Sequence, residues 1–358
     1  REVMLLTVGD PDQAPPERLI ATTVDALRRH QTGYSPITGL PELRAAIARR
    51  MAQRSGRPCA TENVAIVAGA QAGLYAALSC LAGPGDEVVA CEPIYATYPG
   101  VAGATGVALT TVPLSPERGF HPDLAALEAA ISPRSRVLWI NSPHNPTGAV
   151  LSADEMATIA ALCRKHDLWL LSDEVYEDLS YARPHVGAWS LPNMAERTVV
   201  VSSLSKSHAA PGFRLGWVVG PPALTGHLFN LLLAMAYGGP RFTQEGALAV
   251  LADEPNEVAA LRADYRRRAT MLSSILADAP KCRVVPPEGG MFVMLDVRAT
   301  GLGSEGFAQR LLERHGVAVL PCDGFGASGQ GLLRISLTLA DDRLAEAGRR
   351  MVALARSI

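Results

Sequence analysis

Six short apolar runs, most of them separated by a helix-length segment, constrain this chain more than any other feature. They are Val64–Val67, Glu87–Ala90, Val137–Ile140, Leu168–Ser172, Thr198–Val201 and Leu215–Val219. Most are apolar on both faces of a strand, which a sheet tolerates when helices cover it from both sides. The pattern from about residue 60 to about residue 220 therefore predicts an α/β fold, a predominantly parallel central sheet with helices on both faces. A helical region follows to Met235, and Tyr237-Gly238-Gly239-Pro240-Arg241-Phe242 interrupts it. A long charged helix around Glu254 to Ala277 then leads to Met291–Leu295, Val317–Leu320 and Leu332–Leu337, which alternate with helix patterns and predict a smaller α/β domain. At 358 residues the chain exceeds one typical domain. The expected division is a large domain over 31–260 and a small one built from 1–30 and 261–358.

Sheets of this kind hold ligands at the carboxyl ends of their strands, so the residues there carry the functional reading. The fifth of these runs ends in Ser202-Ser203-Leu204-Ser205-Lys206-Ser207-His208, and Pro211-Gly212-Phe213-Arg214-Leu215-Gly216-Trp217 follows. Lysine forms Schiff bases with aldehydes, while Ser203, Ser205 and Arg214 are natural phosphate partners. An aldehyde and a phosphate on one ligand suggest pyridoxal phosphate (PLP); alone, the stretch also reads as a basic surface loop. The first run turns through Ala68-Gly69-Ala70-Gln71 into a helix, which either presents free N–H groups to a phosphate or simply needs glycine for packing. Tyr95, past the second run, either stacks on a planar ring or closes the core. Asn141-Ser142-Pro143-His144-Asn145-Pro146-Thr147-Gly148 fixes a tight turn that can hold Asn145 as a donor. Asp173 emerges from an apolar strand, a costly place for a carboxylate unless something cationic meets it.

Several function classes are disfavoured. A net charge of −2 argues against a dedicated nucleic-acid or membrane-surface binder. The six cysteines have no close pairs, so neither a zinc site nor a disulfide framework is indicated, and they read as core residues of a reducing compartment, the cytoplasm. No metal is expected. Val64–Gly85 and Pro93–Ser115 are charge-free and long enough to imitate membrane spans, but glycines and turn signals break both. The chain opens at Arg1 rather than Met, so its natural start is expected to lie upstream. Gly324-Phe325-Gly326-Ala327-Ser328-Gly329 matches a dinucleotide fingerprint, yet a strand pattern follows it and no acidic residue stands at the later position.

Taken together, Gly69-Ala70-Gln71, NSPHNPTG at 141–148, DEVY at 173–176 and SLSK…PGFRLGW resemble fold-type I, class I/II PLP-dependent aminotransferases, in order and spacing across essentially the whole chain. The resemblance implies that Lys206 holds PLP covalently and moves the substrate's Cα proton, and that Asp173 pairs with the pyridine nitrogen. Opposite charges ~4 Å apart at an effective dielectric of ~20 attract by about 4 kcal/mol, roughly three pKa units. It further implies Asn145 and Tyr176 at the ring's phenolic oxygen and Tyr95 on the ring face. Ala70, Gln71, Ser203, Ser205 and Arg214 would cradle the phosphate. Tyr34, in Gly33-Tyr34…Gly39-Leu40-Pro41-Glu42-Leu43-Arg44, would reach the phosphate of a neighbouring subunit, making the protein a homodimer with shared sites. Arg334 would grip the substrate α-carboxylate, helped by Gly9 backbone and by Asn145. Amino acid and 2-keto acid substrates follow. Within the family, Gly9-Asp10-Pro11-Asp12 and Ser203–His208 look closest to arginine–pyruvate aminotransferases. Arg241 cuts against a guanidino substrate: it either meets an acidic one or is solvated. The same fold also serves PLP-dependent lyases and decarboxylases, and non-catalytic PLP-binding regulators that carry an added DNA-binding domain.

Overall fold

The structure is a computed structural model that describes residues 2–253 and 256–358; Arg1, Glu254 and Pro255 lie outside the described residues, and with them the expected start of the long charged helix. Its strands are β1 (Met4–Leu5), β2 (Val64–Val67), β3 (Glu87–Glu92), β4 (Ala108–Pro113), β5 (Ser135–Asn141), β6 (Trp169–Asp173), β7 (Thr198–Ser203), β8 (Gly216–Val219), β9 (Arg283–Val285), β10 (Phe292–Asp296), β11 (Val317–Ala318), β12 (Leu320–Pro321) and β13 (Leu332–Ser336). Seven of them form one sheet in the order β2-β8-β7-β6-β5-β3-β4. Strands β3 to β7 run parallel; β8 lies antiparallel between β7 and β2.

Side chains alternate between the two faces of this sheet with the period of two that a pleated strand imposes. Val64, Ile66, Val89, Leu138, Leu170 and Val200 join one core with the helices Pro41–Ser55, Ala153–Lys165 and Arg241–Leu251. Ala65, Val67, Val88, Trp139, Leu171 and Val201 join the opposite core with Ala70–Leu81, Tyr98–Thr105 and Pro222–Met235. Burial on both faces is what made the runs look uniformly apolar. The edge strand β4 escapes such a reading, because much of it is only half-buried and Thr110 and Thr111 spend their hydroxyls on Glu87 and Glu92.

A second sheet, β12-β13-β10-β9, is antiparallel throughout. The alternating elements expected to make a smaller α/β domain form this sheet, backed by the helices Asn256–Leu276, Gly303–His315 and Asp341–Arg356. The single run Val317–Leu320 also divides: β11 pairs with β1, while β12 pairs with β13. The N-terminal segment crosses this sheet, with Ser336 N–H donating to Leu6 O at 3.0 Å. Further on, Asp12 is held by Arg268, which also grips Asp341. The helix Glu17–Arg28 turns away and lies on Arg241–Leu251, with Leu19 in the core beneath the large sheet. The Gly324–Gly329 motif forms tight turns in which Ser328 N–H donates to Glu92 at 2.8 Å and Phe325 O accepts from Ile94 at 2.8 Å. An added Cβ at Gly326 would run into the Glu92 carboxylate. Gly326 serves that close approach, while a Cβ at Gly329 would meet the Cys322 backbone.

Candidate active site

At the carboxyl ends of β5, β6 and β7 lies a cavity of about 160 Å³. Ala70, Gln71, Tyr95, Asn145, Asp173, Tyr176, Ser203, Ser205, Lys206 and Arg214, ten residues singled out from the sequence, all line it. Lys206 sits in the single turn Leu204–Ser207 that begins where β7 stops, with Ser203 Oγ accepting from Ser205 N–H. Its Nζ donates to Gly9 O at 2.5 Å. Burial lowers the lysine pKa to about 8, against the opposing pull of Asp10.

Asp173, the last residue of β6, is 4% exposed. It accepts from Tyr98 Oη at 2.6 Å and from Val175 N–H at 3.2 Å, and no cation pairs with it among the described residues. Burial therefore raises its pKa to about 6. Asn141 ties the neighbouring strand ends together: its Nδ2 donates to Asp173 O at 2.9 Å and its Oδ1 accepts from Asn145 N–H at 2.8 Å. Asn145 Nδ2 reaches Tyr176 Oη at 3.4 Å, and its Oδ1 accepts from Arg334 Nη1 at 3.0 Å.

Arg334 comes from β13 of the second sheet, 6% exposed. Its Nη2 donates to Thr7 O at 2.7 Å and its Cζ lies 4.1 Å over the Phe292 ring. Its Nε has no partner, and burial lowers its pKa. Among the described residues the site thus brings together a buried carboxylate without a cation and, behind Asn145, a buried guanidinium without an anion, each costly unless a ligand completes it.

A third site for charge lies at the start of the helix Ala70–Leu81. Gly69 precedes it at φ +81°, and among the described residues no side chain caps its first N–H groups. Arg214, in the left-handed region at φ 49°, lays its guanidinium against this turn, with Nη2 donating to Ala68 O at 3.3 Å. A Cβ on Gly69 would stand 2.5 Å from Arg214 Nη2. Open N–H groups, a guanidinium and the Ser203 and Ser205 hydroxyls make a phosphate cradle. With Lys206 for an aldehyde and Asp173 for a cationic ring nitrogen, the donor set fits PLP.

Two expected residues stand elsewhere. Tyr34 is 84% exposed, its ring 5.0 Å edge-on from Tyr237, and does not reach this pocket. Arg241 is engaged by Glu245 at 3.3 Å, which Arg29 also holds. Tyr98 and Asn141 were missed; an aromatic three residues after Tyr95 and an Asn opening the NSPHNPTG turn were the available signals. Glu174, Glu177 and His185 come within 4.8 Å of one another, but Glu174 already accepts from Ser172 and Ala188 and Glu177 meets Arg54, so the cluster reads as an ion-pair network.

A mixed, mostly parallel sheet ending in this lysine, carboxylate and phosphate cradle defines a PLP-dependent enzyme of fold-type I. The comparisons agree. A family model described as aminotransferase class I and II matches residues 1–351, and the chain belongs to that family. It is 46% identical over 357 residues to the arginine–pyruvate transaminase of Pseudomonas aeruginosa, covering 100% of this chain and 91% of that one. The solved aspartate aminotransferase of Thermus thermophilus with maleate superposes with a TM-score of 0.94 at 31% identity, covering 99% of this chain and 92% of that one. N-Succinyldiaminopimelate aminotransferase from Mycobacterium tuberculosis gives 0.93 at 35%, covering 98% and 93%. The chain is a PLP-dependent aminotransferase, moving an amino group between a 2-amino acid and a 2-keto acid.

Proposed function

We propose that the amino donor is arginine or a similar guanidino amino acid, that pyruvate is an acceptor, and that the residues named from the sequence perform the reaction. The observation that carries the residue roles is the pair of uncompensated buried charges, Asp173 and Arg334, with Lys206 in the same site. PLP, when bound, supplies an aldehyde that takes the amino group and a ring that draws electrons from Cα. Lys206 would offer its amine to that aldehyde and, once substrate has displaced it, would carry the proton from the substrate's Cα to the former aldehyde carbon. Its pKa of about 8 leaves a usable base near neutrality. Asp173 would hold the proton on the ring nitrogen. Asn145 and Tyr176 would donate to the phenolic oxygen, Tyr95 would cover the ring face, and Ala70, Gln71, Ser203, Ser205 and Arg214 would bind the phosphate. Arg334 takes the α-carboxylate that donor and acceptor share, with its own partner Asn145 and the backbone at Gly9 alongside.

For the donor, the support is the relative's printed activity together with the charges around the site. Arg241 is offset by Glu245, and the exposed Asp10 beside Gly9 has no ion-pair partner among the described residues. A homodimer is supported by the exposed Tyr34–Tyr237 pair and the exposed apolar Phe229, Leu233 and Met235. In the dimer, Tyr34 would reach the partner's phosphate. The proposed large domain keeps 31–260 and gains Glu17–Arg28, leaving the small domain the N-terminal strap and the second sheet. No helix among the described residues is long and apolar enough to cross a membrane, in keeping with the proposed cytoplasmic location.

The test is a donor screen with pyruvate and 2-oxoglutarate. Arginine with pyruvate should yield alanine and the guanidino keto acid. Preference for an acidic donor would overturn the substrate assignment while leaving the residue roles standing.

A further inference from the structure

The hydroxyl of Tyr98 touches Asp173, and none of the roles above employs it. Tyr98 opens the helix Tyr98–Thr105, 3% exposed. Its ring stacks on the Trp139 indole, centroids 3.8 Å apart and planes 18° from parallel, while Tyr95 meets it edge-on at 5.7 Å. These rings fix the direction of Oη, which ends 2.6 Å from Asp173 Oδ2. Burial first, then the neighbouring carboxylate, raises the phenol's pKa well above its usual value, so it stays a donor.

The carboxylate needs such a donor. Burial brings Asp173 up to about 6, which lets it compete with a pyridine for one proton. The groups facing it from its surroundings are Glu174 beside it in the chain, Tyr176 just beyond, and Tyr95 and Tyr98 from across the pocket. Glu174 pushes the carboxyl higher; the Tyr98 hydroxyl and the Val175 N–H pull it down. Of these two, Tyr98 makes the shorter bond, in an enclosure where a hydrogen bond to an ion is strong.

We propose that Tyr98 is a positioning residue whose hydroxyl keeps Asp173 ionised and oriented, so that the proton shared with the cofactor's pyridine stays on the ring nitrogen. The proposal rests on the assignment of Asp173 to that nitrogen. One proton is at issue, and it sits either on nitrogen facing a carboxylate or on the carboxyl facing a neutral ring. Only the first arrangement leaves the ring a strong electron sink.

The experiment uses holoenzyme loaded with PLP labelled at the ring nitrogen, whose NMR resonance reports protonation. The parent should show a protonated ring, Asp173→Asn an unprotonated one, and Tyr98→Phe a clear move toward the unprotonated position. The acid limit of cofactor retention should also rise in Tyr98→Phe by about one pH unit, a tenfold change in proton affinity. A resonance that stays protonated in Asp173→Asn would sink the assignment of Asp173. A shift in Asp173→Asn with none in Tyr98→Phe would overturn the role of Tyr98 alone. If Tyr98→Phe fails to fold or to hold PLP, a ring-fluorinated tyrosine at position 98 decides the matter. It keeps the stack and strengthens the donor, so the acid limit should fall; an unmoved limit counts against the proposal.

Discussion

Replacing Arg334 with lysine separates charge from geometry at the proposed carboxylate site. The guanidinium now spends Nη1 on Asn145 Oδ1 at 3.0 Å and Nη2 on Thr7 O at 2.7 Å, and holds its plane over Phe292. Lysine keeps one positive charge but has no fork, so it cannot serve both fixed acceptors and pair with a carboxylate in a plane. Hydrogen bonds involving charged groups contribute ~1.5–3 kcal/mol each. Loss of one from the substrate, with part of another from the disturbed Asn145, should cost about 2–4 kcal/mol, roughly 30- to 1000-fold in kcat/KM. Donor and acceptor carry the same α-carboxylate, so Arg334→Lys should weaken both half-reactions alike. Cofactor retention should hold, because Arg334 does not touch the phosphate cradle. Stopped-flow measurement of each half-reaction, with titration of bound PLP, provides the check. A penalty below threefold, or one confined to the amino donor, would refute the assignment.

Other perturbations test other parts of the site. Cofactor uptake by the apoenzyme should speed up as pH rises through about 8, the pKa of Lys206, because only the neutral amine attacks an aldehyde; a flat profile would place the limiting step elsewhere. Gly69→Ala should weaken PLP retention at least tenfold, since a Cβ at φ +81° is strained and would stand 2.5 Å from Arg214 Nη2; equilibrium dialysis reads it. His121 is raised to about 9, first by its hydrogen bond to Glu155 and next by Glu288. A folded pKa above the unfolded value of ~6.5 adds stability that is complete below 6.5 and is lost as pH rises through 9. Discounted for its partial exposure, the effect is about 1–2 kcal/mol. Denaturant midpoints should fall across that window in the parent and stay level in His121→Gln.

The large sheet was legible because its physics is local. A strand buried on both faces must be apolar at every position, and Thr198–Val201 or Val137–Ile140 declares this without reference to any partner. Gln71, Asn145, Asp173 and Lys206 followed from the same fact, since a polar group at the end of such a strand needs a purpose, whereas Tyr176, Arg334, Gly9 and Tyr34 came only from the family resemblance. What stayed hidden depended on pairing. Nothing in Phe292–Asp296 or Leu332–Ser336 states that they run antiparallel, because a strand's own pattern fixes its faces and leaves its neighbour's direction open. Val317–Leu320 reads as one apolar run, yet its two halves join different sheets. Half-exposed β4, with threonines tied to Glu87 and Glu92, gave no separate strand signal within the charge-free stretch Pro93–Ser115.

Tyr98 and Asn141 were hidden for a related reason. Each acts on a residue from another strand end: Tyr98 reaches Asp173 across 75 positions of sequence, and Asn141 does so across 32. A residue that meets a ligand can be guessed from its own chemistry, as Lys206 was. A residue that tunes another has no chemical oddity to betray it; a tyrosine after a strand looks like core. The burial that lets Asp173 act also raises its proton affinity, so a carboxylate sunk this deep needs donors around it to remain an anion. The presence of Asp173 at the end of an apolar strand therefore carried two demands, a cation in front and donors behind. The first was stated by the sequence only as a need for some cation, which the family resemblance filled with the pyridine nitrogen. The second could be met by any hydroxyl or N–H the fold delivered, and only the three-dimensional arrangement shows that Tyr98, braced on Trp139, is one of those delivered.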